Sequence, residues 1–277
     1  MTEFDRQYQE LVDKIMVNGF EEINERTQTF VKALPGETME IHPEDGFPLL
    51  TLRRIPIKLF VAEQVWYLTG SRRPSELLTQ YTQIWNEFTN PGGGLPTAYG
   101  FRWRQYFGRD QVDSLVKHLE EERSSRQAVV VTWDPATDGL SPLKKKNVPC
   151  PYSFTVNILG DQLHLHNIVR SNDMMLGCPH DAAGFALLQS ILAARLNAKV
   201  GKYTHSISNA HVYGTHYEGA QELIRRTNDH KKVTFIAKPD YYERAKSGDI
   251  ELIKEIVEQL EDQYQPSPPI RGMKVVG

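Results

Sequence analysis

Cys150 is the residue best suited to covalent chemistry in this sequence. It lies in the segment Val148-Pro149-Cys150-Pro151, where a proline on either side restricts the backbone around the thiol. A lone cysteine is more often a buried structural residue than a nucleophile. Arg170 follows Cys150 across a predicted hairpin, and a nearby guanidinium would favour the thiolate, which is the reactive form. Nucleophilic catalysis by Cys150 is therefore one hypothesis, and a structural cysteine is the other.

A second group of polar residues follows directly after the predicted hairpin. Arg170 and Ser171 offer a fork of donors and a hydroxyl, which together suit a phosphate. Asp173 follows, and Asp181 immediately precedes an alanine-rich run that predicts a helix. The same residues are typical of a solvated loop in which Asp181 is the N-cap of that helix. Spacing alone leaves both interpretations open.

Histidine and tyrosine side chains end a predicted strand near residue 213. Alternation places His211 and Tyr213 on one face, where both can hydrogen-bond a sugar hydroxyl. A half-exposed strand end is the plainer alternative. His205 and His216 lie nearby in sequence, but the spacings of the three histidines match no usual metal-ligand pattern. We therefore expect no metal.

Composition excludes several classes of protein. The chain has 277 residues, of which 40% are hydrophobic and 24% charged, values typical of a globular protein with a substantial core. The net charge of −3 gives no basic field for nucleic acid. Two cysteines cannot form a disulfide framework, which favours a reduced, cytoplasmic setting. Because the chain lacks a signal-peptide pattern and a long apolar run, we expect no membrane association.

Apolar periodicity predicts both helices and strands. Helices are predicted at residues 1–25, 57–68, 111–123, 182–196 and 250–260. Strands are predicted at residues 27–41 (interrupted at Pro35-Gly36), 127–133, 153–159, 162–169 and 203–213, with Gly160-Asp161 as the turn of a hairpin. The two kinds of element mix without regular alternation, and no central stretch is typical of a linker. We therefore predict an α+β fold and one domain over residues 1–277.

In order along the chain, several motifs resemble those of the thymidylate synthase family. They are Glu25-Arg26-Thr27; Asp45-Gly46-Phe47-Pro48-Leu49-Leu50-Thr51; Glu63 with Trp66; Trp85; Tyr99-Gly100 with Trp103-Arg104; Ser125-Arg126; Pro149-Cys150; Arg170-Ser171 with Asp173, Leu176-Gly177 and Pro179; His211 and Tyr213 with His216; and Tyr264 with Pro266, Pro268 and Ile270 in the tail. The resemblance covers nearly the whole chain, and so many ordered matches make it specific.

The resemblance implies a fold, partners and residue roles. The fold would be a mixed β-sheet with flanking helices, in a homodimer where Arg126 reaches the partner's site. The substrates would be a pyrimidine nucleoside monophosphate and 5,10-methylenetetrahydrofolate. The implied catalytic residues are Cys150, Glu63, Asp181, His216 and Tyr99; the implied nucleotide-binding residues are Arg26, Arg126, Arg170, Ser171, Asp181, His211 and Tyr213; and the implied folate-binding residues are Trp85, Asp173, Gly177 and His180.

Departures from the family's pattern bear on the base and the reaction. The family's asparagine that binds uracil is here Asp181, and His180 replaces a phenylalanine. Cytosine presents an N3 acceptor and an amine donor, a pattern that suits a carboxyl group, whereas each buried mismatch with an amide costs about 1–3 kcal/mol. Pro151 replaces the histidine after the nucleophile, Val169 replaces the glutamine before Arg170, and both changes argue against plain thymidylate synthesis.

These departures are similar to the family's (deoxy)cytidylate 5-hydroxymethylase branch. We predict that Cys150 attacks C6 of a cytosine nucleotide, that a one-carbon unit is transferred to C5, and that water adds; dCMP is favoured over CMP. The alternatives are a dCMP methyltransferase or a thymidylate synthase with hydride transfer, which Trp85 and the intact tail keep open. An inactive nucleotide-binding or RNA-binding protein is a further alternative, against which the retention of Cys150, Glu63 and Arg170 argues.

Overall fold

A computed structural model describes residues 1–140, 147–229 and 231–276; the basic run at residues 144–146 lies outside the described residues. The helices are α1 (Glu3–Asn18), α2 (Ile57–Thr69), α3 (Tyr99–Phe101), α4 (Gln111–Glu121), α5 (Gly177–Arg195), α6 (Tyr217–Arg225), α7 (Tyr241–Lys246) and α8 (Ile250–Glu261). The strands are β1 (Phe20–Asn24), β2 (Thr29–Ile41), β3 (Val129–Val131), β4 (Pro151–Leu159), β5 (Gln162–Val169), β6 (Asn172–Asp173) and β7 (Lys199–Tyr213). Within these ranges, no helix is both long and apolar enough to cross a membrane.

The strands form one mixed sheet in the order β1-β2-β7-β5-β4-β3, with β6 paired beside β7. β5 and β6 run parallel to β7, and the other pairs are antiparallel. Helices α1 and α5 pack on the sheet, and α2 packs on α5. Alternate side chains of β4, β5 and β7 stay half-buried on the sheet. The predicted α+β fold, a mixed sheet flanked by helices, is confirmed.

Several element boundaries differ from those predicted from sequence. Helix α1 ends at Asn18, and residues 20–24 leave the predicted helix to pair antiparallel with β2. Strand β2 continues through Pro35-Gly36, because Gly36 takes a φ of 66° while Pro35 still pairs with Asn209. The strand predicted at residues 127–133 is limited to Val129–Val131.

Helix α5 begins at Gly177, well before the predicted start at residue 182. Pro179 is tolerated there because the N–H groups of the first turn have no partner within the helix. Leu176 is the N-cap, so the interpretation of Asp181 as an N-cap is wrong. Asp181 lies inside the helix, and its carboxyl group is available for the site.

A close contact between α2 and α3 positions Tyr99. A Cβ built on Gly100 would lie 2.0 Å from the carbonyl oxygen of Tyr67, so only glycine allows the two helices to approach this closely. The rings of Tyr67 and Tyr99 are consequently 5.1 Å apart. Trp103 continues the same turn and is fully buried, with Nε1 donating to Thr132 Oγ1 at 2.8 Å.

We expect Gly100→Ala to lower the free energy of unfolding by about 3 kcal/mol or more, because the new methyl group meets rigid backbone. Urea unfolding followed by circular dichroism measures the change. Gly92→Ala is the matched control, since the nearest atom to its built Cβ is 3.4 Å away. Equal stability of the two variants would contradict this account of the contact.

Candidate active site

The β4–β5 hairpin brings Arg170 against Cys150. Pro151 pairs with Val169, and the Arg170 N–H donates to the Cys150 carbonyl at 2.9 Å. The guanidinium donates through Nε to the Pro149 carbonyl at 2.8 Å and lies with Nη2 3.7 Å from the Cys150 Sγ. The predicted approach of these two side chains is therefore confirmed.

The thiol of Cys150 is half-buried, and its charge state reflects two opposing effects. Burial raises the pKa of the thiol, while Arg170 opposes the rise, Asp181 adds to it, and Arg26 lowers it. The net direction is upward, so the expectation that Arg170 favours the thiolate holds as a contribution but burial outweighs it. Without substrate, the thiol at neutral pH is mainly protonated.

Asp181 faces Asn172 across the start of α5. Asn172 Nδ2 donates to Asp181 Oδ2 at 2.7 Å. Burial raises the pKa of the Asp181 carboxyl to about 7; the Asn172 hydrogen bond opposes the rise, and the charge of Asp173 adds to it. Gly177 lies over this pair, and a Cβ built there would be 3.4 Å from Asn172 Nδ2. Near neutral pH, Asp181 can therefore act as a donor or as an acceptor.

Glu63 is the acidic residue in the middle of the otherwise apolar helix α2. Trp85 Nε1 donates to Glu63 Oε1 at 2.6 Å. Burial raises the pKa of Glu63 to about 8, against the effect of the Trp85 hydrogen bond and with a contribution from the charge of Asp181. The Trp85 ring also lies edge-on to Tyr99, with centroids 6.2 Å apart. Glu63, Trp85 and Tyr99 thus form one wall of the site.

Tyr99 connects that wall to the thiol. The Cys150 N–H approaches the Tyr99 hydroxyl at 3.5 Å, a long hydrogen bond. Burial raises the pKa of Tyr99 well above its usual value, so the phenol is neutral at physiological pH. The Tyr99 hydroxyl can therefore donate or accept a hydrogen bond beside the Cys150 sulfur.

His211 and Tyr213 lie on one face of β7, as predicted, with ring centroids 4.9 Å apart. His211 Nδ1 lies 3.1 Å from Asn209 Oδ1, and burial lowers the pKa of His211. Arg26, exposed in the turn between β1 and β2, lies beside the Tyr213 hydroxyl and opposes the rise in pKa that burial imposes on Tyr213. These residues supply two ring donors and a cation on the same side as Cys150.

His180 and His216 each donate a hydrogen bond from one ring nitrogen to a backbone carbonyl. His180 Nδ1 donates to the Leu176 carbonyl at 2.8 Å, and burial lowers its pKa to about 4. His216 Nε2 donates to the Lys274 carbonyl at 2.8 Å, which holds the tail against the site. In the described part of the chain, His180 Nε2 and His216 Nδ1 are buried without a hydrogen-bond partner.

Asp173 lies beside His216, the residue that holds the tail. Its Oδ1 accepts from the Met175 N–H at 2.9 Å and lies 3.8 Å from His216 Nδ1. Burial pulls the pKa of His216 down, but Asp173 and the Lys274 carbonyl together raise it above its usual value. Ser171 is half-buried beside Arg170, whereas Arg126 is exposed on the loop between α4 and β3.

Sequence reasoning missed the groups that support these side chains. Tyr67 packs behind Tyr99, and the Trp133 ring lies 5.7 Å from the guanidinium carbon of Arg170. The sequence pattern assigns no role to Asn172, and it suggests His205 only as a possible metal ligand. His205 instead makes hydrogen bonds through both ring nitrogens. Among the described residues, no cluster of three or more potential metal ligands is found.

Fold and site together place a cysteine thiol next to two arginines and two carboxylic acids of raised pKa, an arrangement that suits nucleophilic catalysis. A family model, Thymidylate synthase, matches residues 6–275. The chain belongs to the thymidylate synthase family. Its activity is accordingly folate-dependent one-carbon transfer to a pyrimidine nucleotide, with methylenetetrahydrofolate as the family's co-substrate.

The burial of Glu63 gives a prediction about stability. Its pKa is about 8 in the folded protein, whereas the ordinary value for a glutamate, expected in the unfolded chain, is 4.5. Between pH 4.5 and pH 8, the folded chain therefore retains a proton that the unfolded chain releases. The stability that Glu63 contributes is complete below about pH 4.5 and is lost as the pH rises through 8. Glu63→Gln removes this loss and should stabilise the protein by at least about 1 kcal/mol at pH 8.5, with little gain at pH 4.

Denaturant unfolding at the two pH values measures this difference. Glu121→Gln, at an exposed glutamate in the last turn of α4, is the control and should change little at either pH. An equal gain for Glu63→Gln at pH 4 and pH 8.5 would show that ionisation of Glu63 is not its source.

Proposed function

We propose that this chain is a 5-hydroxymethylase of a cytosine nucleotide, with dCMP preferred over CMP. The observation that carries the proposal is Asp181, whose carboxyl group has a pKa of about 7 and stands where the family has an asparagine. A carboxyl group that exchanges a proton near neutral pH can donate to cytosine N3 and accept from the exocyclic amine. An amide in the uracil orientation would leave both groups mismatched.

Cys150 and Arg170 support the covalent part of the reaction. In the proposed sequence, Sγ would bond to C6 of the base and C5 would bond to the one-carbon unit. Loss of the C5 proton and cleavage of the bond between the one-carbon unit and tetrahydrofolate would then leave an exocyclic methylene on C5. Water then adds to the exocyclic methylene, and elimination of Cys150 releases the product. Methylenetetrahydrofolate, when bound, supplies the one-carbon unit. Arg170, fixed 3.7 Å from Sγ, favours the thiolate at the moment of attack.

Glu63 and His216 are proposed to order the water that adds. Glu63 has a pKa of about 8, so at neutral pH it is a carboxylic acid that can donate and accept. Among the described residues, His216 Nδ1 has Asp173 Oδ1 as an ion-pair neighbour at 3.8 Å and makes no shorter polar contact, while Nε2 holds the tail. Both side chains can therefore hydrogen-bond a water molecule without breaking the contacts that place them.

The remaining groups are proposed to bind the rest of the two substrates. Arg26, Arg170 and Ser171 would hold the phosphate, and His211 with Tyr213 would hold the 3′-hydroxyl. The folate site would be lined by Trp85, Asp173, Gly177 and His180. Because Nδ1 of His180 donates to the Leu176 carbonyl, Nε2 of the neutral ring is an acceptor, and it is buried without a described partner. It would accept a hydrogen bond from an N–H group of the bound folate ring.

Assembly as a homodimer in the cytoplasm is part of the same proposal. Arg126 is exposed on the loop before β3 and would reach the phosphate of the partner's site. The half-buried side chains on β4, β5 and β7, which include Thr155, His166 and Ser206, would lie at the subunit interface. No nucleic acid takes part.

Methyl transfer by hydride is the second candidate, and two contacts favour it. Trp85 donates a hydrogen bond to Glu63, and the Lys274 carbonyl of the tail accepts one from His216; in this alternative, both groups would shield the intermediate from water. A dCMP methyltransferase would keep Cys150 and Asp181 but release a methylated base. An inactive nucleotide-binding or RNA-binding protein would retain ligand binding without turnover.

Product analysis by mass spectrometry separates these candidates. Purified protein is given methylenetetrahydrofolate with CMP, dCMP, UMP or dUMP, and a competition between CMP and dCMP ranks the sugars. We expect a hydroxymethylated cytosine product, with dCMP in excess. A methylated product favours hydride transfer, and a uracil product alone contradicts the assignment of Asp181. Turnover should be abolished in Cys150→Ala with nucleotide binding retained, whereas an inactive wild-type protein that binds nucleotide would support the binding-protein alternative.

Asp181→Asn should shift base preference from cytosine toward uracil. Restoring the amide gives two matched hydrogen bonds to uracil and two mismatches to cytosine, so the ratio of kcat/KM values should change at least about tenfold. Steady-state kinetics on dCMP and dUMP measure the ratio. Asp173→Asn is a neighbouring control that should not reverse the preference. A variant that handles cytosine as well as wild type does and gains no uracil activity would disprove the role of Asp181.

Mixing inactive subunits tests the shared site. Cys150→Ala and Arg126→Ala should each be inactive, but a heterodimer of the two has one site with both residues intact, so about a quarter of all sites should recover after random exchange. Mixing Cys150→Ala with Glu63→Gln is the control. Each of these substitutions disables the site of the subunit that carries it, so the heterodimer has no intact site and should not recover activity. A fully active monomer, or no recovery in a verified heterodimer, would contradict the assignment of Arg126.

A further inference from the structure

Three buried polar side chains form a chain of hydrogen bonds that ends at Asp181. The Tyr203 hydroxyl lies 2.7 Å from His205 Nδ1, His205 Nε2 lies 2.9 Å from Asn172 Oδ1, and Asn172 Nδ2 lies 2.7 Å from Asp181 Oδ2. Tyr203, His205 and Asn172 are 1%, 0% and 2% exposed, respectively. Water therefore cannot substitute for any of these partners at low cost.

The donors and acceptors in this chain can be ordered in only one way when Asp181 is ionised. A carboxylate only accepts, so Asn172 must present Nδ2 to Asp181 and Oδ1 to His205. An amide oxygen also only accepts, so His205 Nε2 must carry a hydrogen. Burial lowers the pKa of His205 to about 3, so the ring is neutral and Nδ1 accepts from the Tyr203 hydroxyl.

We propose that Tyr203, His205 and Asn172 are positioning residues that fix which oxygen of Asp181 carries a proton and thereby set its preference for the base. Because Asp181 Oδ2 accepts a hydrogen bond from the Asn172 amide, a proton taken up by Asp181 resides on Oδ1. That oxygen is then the one that donates to a ring nitrogen, while Oδ2 keeps a second lone pair for an amine. This inference rests on the proposed function, because it deepens the role of Asp181 in that function.

In this series of hydrogen bonds, the Tyr203 hydroxyl fixes the tautomer of His205 by donating to Nδ1. Without this hydroxyl, the His205 proton could move to Nδ1, where Asn167 offers a second contact at 3.5 Å. Asn167 Oδ1 is buried without a partner in the described chain, so a rotated Asn167 amide would accept that proton. His205 Nε2 would then become an acceptor, and the Asn172 amide would rotate and present Oδ1 to Asp181. An ionised Asp181 would face another acceptor, which favours its protonated form.

The titratable groups that interact with Asp181 come from several elements packed around it. The charge of Asp173 of β6 raises the pKa of Asp181, and the charge of Asp181 in turn raises the pKa values of Glu63 and Tyr67 of α2, Tyr99 of α3, Cys150 before β4, Cys178 of α5 and Tyr203 of β7. Substitution of Asn172 or Tyr203 by an apolar residue introduces no new charge among them. A change in the titration of Asp181 in such variants therefore reports the hydrogen-bond chain.

The first test observes the tautomer directly. Long-range ¹H–¹⁵N correlation spectra of the ¹⁵N-histidine-labelled protein distinguish a protonated from a bare ring nitrogen, and loss of a signal in His205→Gln assigns the resonance. We expect a neutral His205 with hydrogen on Nε2 in wild type, and a population with hydrogen on Nδ1 in Tyr203→Phe. A charged ring or the Nδ1–H tautomer in folded wild type would overturn the proposal.

The second test measures the titration of Asp181. Carboxyl ¹³C signals of aspartate are followed with pH, and the Asp181 signal is assigned with Asp181→Asn. Asn172→Leu, which keeps the branched shape and the number of side-chain heavy atoms but removes the donor, should raise the pKa of Asp181 by about one pH unit, and Tyr203→Phe should raise it by less. Tyr242→Phe is the matched control: it removes the hydroxyl of a buried tyrosine that bonds Asp113, and it should leave the pKa of Asp181 unchanged. An unchanged Asp181 titration in a folded Asn172→Leu variant would overturn the proposal, and Tyr203→Phe supplies the same test if Asn172→Leu does not fold.

A kinetic arm connects the chain to base selection. The ratio of kcat/KM for dCMP over dUMP should fall about tenfold in Tyr203→Phe and should be unchanged in Tyr242→Phe. Failure of the proposed function appears as a wild-type enzyme that does not turn over cytosine, with the spectroscopic results unaffected. An unaltered base ratio in Tyr203→Phe despite a shifted tautomer would overturn only the link between the chain and specificity.

Discussion

The site depends on one anchored side chain, the guanidinium of Arg170. Its nitrogens donate to the carbonyls of Val148 and Pro149, the residues just before the nucleophile, while its backbone N–H holds the Cys150 carbonyl. A cation held by backbone contacts cannot relax away from the sulfur as an exposed lysine would. The segment that carries the thiol, the hairpin that carries Arg170, and Ser171, the residue proposed to bind phosphate, are therefore fixed relative to one another.

Burial works against charge throughout this site, and the effect is specific to each residue. It raises the pKa values of Cys150, Glu63 and Asp181 and lowers those of His180 and His205. Before substrate binds, the thiol of Cys150 and the carboxyl of Glu63 are thus mainly protonated at neutral pH, and Asp181 is about half protonated. In the proposed binding mode, an anionic nucleotide would meet the arginines near its phosphate and groups that donate and accept hydrogen bonds near its base.

The sequence predicted the fold class and the turn and second strand of the β4–β5 hairpin because turn residues and alternation are local signals, although β4 begins two residues before the predicted start. It placed the start of α5 five residues too late, since Pro179 is typical of a boundary and its tolerance in a first helical turn depends on context. It did not predict that Asn172 meets Asp181 or that His205 supports Asn172, because those contacts join β6, β7 and α5 in space. The sequence pattern also could not predict protonation states that depend on burial. The thiol of Cys150 is an example, because burial raises its pKa despite the nearby Arg170.

Glu63 and Asp181 are best understood as a coupled pair of acids. The charge of Asp181 raises the pKa of Glu63, so the second ionisation is harder than the first. If Asp181 gives its proton to a ring nitrogen, the resulting negative charge holds Glu63 more firmly in its protonated form. Glu63 then remains a donor toward water at the stage when the proposed reaction needs one. One pair of buried carboxyl groups can in this way bind the base through one member and keep the other ready as an acid, without any change of pH.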